Sequence, residues 1–166
     1  LWCQSHFFLG WIADRYPEAV TEVACRGHEV AIHGYEHRLI YTQTPDAFEA
    51  DLGRALQAVR KVYDGPILGY RAPSFSIRAD SLWALGIIKK LGFQYDSSIF
   101  PIKRERYGLV GVPDGPHEIA AGLIEFPMST IDFLGRKLPV CGGGYFRLFP
   151  LALTFRAIAT LNRDRQ

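Results

Sequence analysis

Apolar and polar positions along this chain follow two alternating rhythms. His6-Phe7-Phe8-Leu9-Gly10 is a short apolar run closed by glycine and reads as a buried strand. Over 11–24 the spacing turns helical, with Ile12, Tyr16, Ala19, Val20 and Val23 on one side; Arg26 and Gly27 supply its C-terminal cap. Glu29–Ile32 reads as the next strand. Thr44 is a good N-cap with Pro45 at the first helical position. Residues 47–63 then form an amphipathic helix whose face carries Phe48, Leu52, Ala55, Leu56, Val59 and Val62. Asp64-Gly65-Pro66 turns the chain into a short strand at 67–70. A helix starting at Ser76 or Asp80 runs through Leu91 to a Gly92 cap, and a strand follows at 93–96. Residues 101–119 read as irregular and 124–127 as another short strand. Residues 131–140 are irregular or weakly stranded, 141–145 a flexible glycine junction, and 150–161 the last helix.

Short apolar strands separated by amphipathic helices predict parallel β/α units with the helices outside. The fold class is therefore α/β, and 166 residues suffice for one domain with a real core, spanning 1–166. In such folds chemistry gathers at the C-terminal ends of strands. His33, Arg71 and Asp96 each stand at such an end, so the pattern predicts that they face a common mouth.

Composition narrows the function. Lys and Arg total 19 against 17 Asp and Glu, a net charge of +2 without any basic stripe, which argues against a nucleic-acid surface. No apolar run approaches the ~18 residues of a membrane span, and the Trp2–Trp11 stretch lacks the basic region and cleavage site of a signal peptide. Cys3, Cys25 and Cys141 are far apart and odd in number, so they read as buried or half-buried thiols in a reducing, cytoplasmic setting rather than a disulfide scaffold or zinc knuckle.

His33 and His37, in Ile32-His33-Gly34-Tyr35-Glu36-His37, are candidate ligands of a divalent metal, since a strand end fixes one imidazole and the following turn returns the other. A surface histidine pair is the alternative. His28 precedes its strand and reads as a structural histidine at the Arg26-Gly27 turn. Arg71, before Ala72-Pro73-Ser74, anchors an acidic group, binds an anionic substrate directly or forms a surface ion pair beside a stiff turn. Asp96 either pairs with Arg71, touches substrate, or serves Ser98 as a cap. Gly142-Gly143-Gly144 lacks the Lys-Ser/Thr of a phosphate loop.

Together these segments resemble the polysaccharide deacetylase superfamily over 7–161, in the branch associated with bacterial exopolysaccharide gene clusters. His33-Gly34-Tyr35-Glu36-His37 is similar to its metal-binding histidine motif and Arg71-Ala72-Pro73-Ser74 to its arginine–proline motif. Asp96-Ser97-Ser98-Ile99-Phe100-Pro101 is similar to its aspartate segment, and residues 139–147 to a signature of that branch. The resemblance implies an incomplete or distorted (β/α) barrel and hydrolysis of N-acetyl groups on an acetylated amino-sugar polymer or oligomer. It further implies a divalent cofactor, zinc foremost, on His33 and His37, with Arg71 and Asp96 catalytic. Tyr35, Tyr70, Pro73, Ser74 and Tyr145 would contact substrate, and the backbone after Arg71 would steady the oxyanion. The family's first strand, with its aspartate pair, and its last, with a histidine, find no counterpart. The chain is thus expected to be cut at both ends and weakly active or inactive alone. A small-molecule cyclic amidohydrolase and a non-catalytic carbohydrate-binding domain are the alternatives the residues leave open.

Overall fold

Ser5–Phe8 (β1), Glu29–Ile32 (β2), Gly69–Tyr70 (β3) and Tyr95–Asp96 (β4) lie side by side and parallel in a computed structural model that describes residues 3–102, 104–133, 135–140 and 142–164. His117–Ala120 (β5) and Leu123–Glu125 (β6) extend the sheet: β6 joins β4 in parallel, and β5 folds back antiparallel on β6. The order is β1-β2-β3-β4-β6-β5. The expected parallel strands are present, and with β5 they form an open sheet with one antiparallel edge.

Helices cover one face of this sheet. The helix expected over 11–24 is two, Gly10–Arg15 (α1) and Pro17–Cys25 (α2). Pro17 is the reason: it cannot donate to the preceding turn, and it forces Tyr16 out of the helical region, to φ −134° and ψ 64°. At the end of α2, His28 N bonds to Val23 O and Gly27 N to Ala24 O, the paired C-terminal cap the glycine predicted. Pro45–Arg60 (α3) starts as expected, with Thr44 Oγ1 accepting from Ala47 N, and buries Phe48, Leu52, Ala55, Ala58 and Val59. Trp83–Lys90 (α4) begins later than Ser76 or Asp80. Ser76 is instead buried and its hydroxyl accepts from Ile40 N.

The register divides the strand residues between the two faces. Phe8, Val30, Ile32 and Tyr70 turn to the helices and form the core with Phe48, Leu52, Val59, Ile88 and Phe93. Tyr70 packs edge-on against Phe48 at 5.9 Å and lies 5.8 Å from Phe93. Ser5, Phe7, Glu29, Arg71, Tyr95, Ser97 and Phe126 line a cleft of about 360 Å³ on the opposite face.

The C-terminal part is more ordered than its sequence suggested. Thr130–Phe133 (β7) and Arg136–Pro139 (β8) form an antiparallel hairpin. The glycine junction is the start of a short helix, Gly143–Leu148 (α5), followed by Leu151–Asp164 (α6). Tyr145 ties α5 down: it lies 6.4 Å from Phe100, stacks at 6.0 Å on Phe149 and shares a 2.9 Å hydrogen bond with the Tyr107 hydroxyl. Cys3 and Cys25 are exposed rather than buried, one ahead of β1 and one at the end of α2; Cys141 lies outside the described residues. No helix among the described residues is long and apolar enough to cross a membrane.

Candidate active site at the strand ends

One row of residues caps four neighbouring parallel strands. His33 N donates to Phe8 O at 2.7 Å, Arg71 N to Ile32 O at 3.0 Å, Ser97 N to Tyr70 O at 2.9 Å and Phe126 N to Asp96 O at 2.8 Å. Because Ile32 pairs with Tyr70, Tyr70 with Asp96 and Asp96 with Glu125, the row one residue later is His33, Arg71, Ser97 and Phe126. Strand alternation puts that row on the cleft face and the preceding row on the helix face. The expected convergence of His33 and Arg71 is therefore present. Asp96 belongs to the other row.

His33 and Arg71 are directly joined. His33 Nδ1 lies 2.6 Å from Arg71 O, so the nitrogen facing that carbonyl carries the proton and Nε2 keeps its lone pair. Burial, with the charges of His37 and Arg71, pulls the imidazole pKa down to about 4, so His33 is neutral at pH 7. His37 follows on the turn, its ring centroid 5.1 Å from that of His33 and nearly perpendicular to it.

The histidine loop is strapped to the helices beneath it. Gly10 N and Trp11 N donate to Gly34 O and Tyr35 O. Tyr35 N donates to Asp51 Oδ2 at 2.8 Å, and the Tyr35 hydroxyl to Asp14 Oδ2 at 2.9 Å. Arg54 lies 3.5 Å over the Tyr35 ring. Gly34 has φ +80°, and a Cβ there would meet Asp51 Oδ2 at 3.1 Å, so glycine suits both the turn and the strap.

Arg71 is held from the opposite side. Its Nε donates to Ser97 O at 2.9 Å and its Nη2 to Ser97 Oγ at 2.7 Å, and the guanidinium lies 4.1 Å over the Phe7 ring. Ser97 Oγ donates in turn to Phe126 O at 2.7 Å. The next backbone donor, Ala72 N, is already taken by Ser98 Oγ at 2.7 Å, so it is not open to an oxyanion as the sequence had suggested. Pro73 is buried against Gly34 and joins the two loops from below, whereas Ser74 is exposed. Among the described residues, the non-glycine positions with positive φ are His37 at 60°, Ser74 at 53° and Phe75 at 55°. All three lie in these two loops. Such strain persists where surrounding structure over-determines it, and it clusters at working sites.

Three expected site residues are turned away. Asp96 is fully buried, takes a hydrogen bond from Ser98 Oγ and is the register partner of Glu125 on the next strand. It cannot touch a substrate in the cleft. Tyr70 is fully buried under the sheet, and Tyr35 is buried between α1 and α3, so neither lines a groove. Glu125 and Ser97 were not singled out from the sequence, although Leu123, Glu125 and Pro127 share the buried parity of their strand. Burial raises the Glu125 carboxyl far above the usual range, and the neighbouring Asp96 charge adds to it. Another depression, about 440 Å³, is bordered by Pro101, Ile102, Arg104, Val110 and Lys137 and by none of the strand-end residues.

Two imidazoles, one with its free nitrogen set by a backbone carbonyl, fit a borderline divalent ion such as zinc. They supply two donors; among the described residues no group of three His, Cys, Asp or Glu side chains gathers to complete a ligand set.

Residues 4–95 match the polysaccharide deacetylase family, and 97–166 match a domain family of unknown function, DUF3473. A Mycobacterium smegmatis protein assigned to the polysaccharide deacetylases has a similar structure, with 30% identity and a TM-score of 0.63 over 75% of this chain and 40% of its own. A family 4 carbohydrate esterase from Streptomyces lividans, solved with acetate, shares the fold at 21% identity, TM-score 0.51, over 57% of this chain and 48% of its own. The chain thus spans less than half the length of either. No curated protein matches it.

Proposed function

The chain belongs to the polysaccharide deacetylase family, and on that premise we propose that its strand-end loops form part of a centre that hydrolyses N-acetyl groups on amino-sugar residues of a bacterial polysaccharide. The observation that carries this reading is the direct bond between the two motif loops. Arg71 O orients His33, and strained backbone occurs in the same loops.

In this reading His33 and His37 hold a divalent ion, zinc foremost, with a carboxylate from outside the described residues as a further ligand. Such an ion, when bound, supplies Lewis-acid polarisation of the acetyl carbonyl and acidifies a water. The chain's own residues do the rest. Burial keeps His33 neutral, and the Arg71 carbonyl holds its Nδ1 proton, so Nε2 stays available. Ser97 fixes the Arg71 guanidinium at the rim of the cleft. There its charge orients an acidic base and steadies negative charge that develops on the acetyl oxygen. Ser74, exposed on its strained turn, and Tyr145 on α5 remain the substrate contacts in this reading.

Acetate release from N-acetylglucosamine oligomers by the full-length protein tests this. Arg71→Ala is expected to lower kcat by about 10²-fold or more with a smaller change in KM, because its contribution falls on the transition state. Unchanged turnover in both Arg71→Ala and His33→Ala would remove the assignment.

A further inference from the structure

We propose that Asp96 and Glu125 share one proton and act as positioning residues that clamp the 97–99 loop onto the Arg71 loop; the functional meaning of this clamp rests on the deacetylase reading above. Both carboxyls are fully buried, and the two residues are register partners on the adjacent strands β4 and β6. Each has one oxygen, Asp96 Oδ2 and Glu125 Oε2, that meets no hydrogen-bond partner among the described residues. Two adjacent bare carboxylates without water repel one another and bear the full desolvation cost. A single proton between them supplies the missing donor and removes one charge.

The remaining oxygens make the clamp. Glu125 Oε1 accepts from Ile99 N at 2.9 Å. Asp96 Oδ1 accepts from Ser98 Oγ, which accepts from Ala72 N. Ser97, between them, holds the Arg71 guanidinium, and Arg71 O holds His33. The row under the cleft thus fixes the row that lines it. Asp96 stands between the two family matches and Glu125 lies within the second, so the segment of unknown function supports the arginine of the deacetylase segment. The other ionisable groups that bear on the pair are the buried Tyr70 hydroxyl, the Arg71 guanidinium and, through Tyr70, Asp51 of α3. Arg71 favours the one remaining negative charge.

Folding then takes up a proton that the unfolded chain releases above the ordinary glutamate value of 4.5. The folded-state pKa is raised, so the contribution is fully present below that value and is lost as pH rises through and beyond neutrality. Glu125→Gln keeps an oxygen for Ile99 N and offers an amide N–H to Asp96 without a titrating proton. Urea unfolding across pH 5–9 should show wild type losing stability relative to Glu125→Gln, by up to about tenfold in the unfolding constant per pH unit. A protonated-carboxyl infrared band should be present in the folded wild type at neutral pH and absent from Glu125→Gln. In full-length protein, Glu125→Leu should weaken zinc binding about tenfold, and Glu125→Gln should restore it. Parallel stability curves, a missing band, or failure of Glu125→Gln to fold at neutral pH overturns the shared proton. Wild-type zinc affinity in Glu125→Leu overturns the positioning role. If the band and the pH difference stand while the full-length wild type releases no acetate, the shared proton survives and the deacetylase reading falls.

Discussion

Asp96 and Ser97 are neighbours with opposite fates, and the side of the pleat decides between them. Asp96 is sealed under the sheet, while Ser97 holds Arg71 at the cleft. The sequence located these segments at strand ends, and His33, Arg71 and the Asp96 segment do close three adjacent strands. It did not assign the face, because a strand of two residues, such as Tyr95–Asp96, contains too little alternation to read. Asp96 does meet Ser98, as one of its expected alternatives had it. Ser98 offers a direct test of this arrangement. Ser98→Ala leaves Ala72 N buried without its acceptor and removes the donor to Asp96, so urea denaturation should register a loss of about 1–3 kcal/mol. A loss under about 0.5 kcal/mol would mean that the bridge contributes nothing beyond an ordinary surface position. At the histidines, calorimetric zinc titration of His33→Ala/His37→Ala should show clearly weaker binding than wild type. Equal affinity would sink the ligand assignment.

Among the elements, those with long periodic patterns and caps were legible: α3 starts at the expected Pro45, and β2 occupies the expected residues. The errors have local causes. Pro17 splits a continuous apolar stripe into α1 and α2, whereas the β7–β8 hairpin is the weakly stranded alternative left open for residues 131–140. Strand β3 carries a packing constraint that its two residues conceal. Tyr95 on β4 reaches across β3 so that its hydroxyl donates to Glu29 Oε1 on β2 at 2.8 Å. The ring passes directly over Gly69, where a Cβ would come within 2.0 Å of Tyr95 Cζ. Gly69→Ala should therefore destabilise the protein by about 1–3 kcal/mol, the usual range for overpacking. Gly69→Ala/Tyr95→Ala should lose less than the sum of the two single changes, because removing the ring makes room for the methyl group. Additive losses in thermal or urea unfolding would show that the collision is relieved elsewhere.

At the scale of the whole molecule, the covered and uncovered surfaces are unequal. Helices α1 to α4 bury one face of the sheet, while the other leaves Phe126 at 45% exposure beside Phe7 and Arg71. A second apolar surface lies on the C-terminal helices, where Leu148, Leu151 and Phe155 are 77%, 63% and 62% exposed. Leu151 and Phe155 are one helical turn apart on α6 and present one stripe. An adjoining side of the same helix buries Thr154 and Ala157, and it is this side that faces the β7–β8 hairpin. Scattered apolar side chains are normal on a surface, but a contiguous stripe of large ones drives association in water. This chain should therefore self-associate, with a sedimentation coefficient that rises with protein concentration. Leu151→Glu/Phe155→Glu should suppress that rise without loss of secondary structure, because both side chains leave the core untouched. A wild-type chain that sediments as a monomer at every concentration would rule out the stripe as an associating surface. A rise that persists in the double variant would move the contact to the sheet face around Phe126.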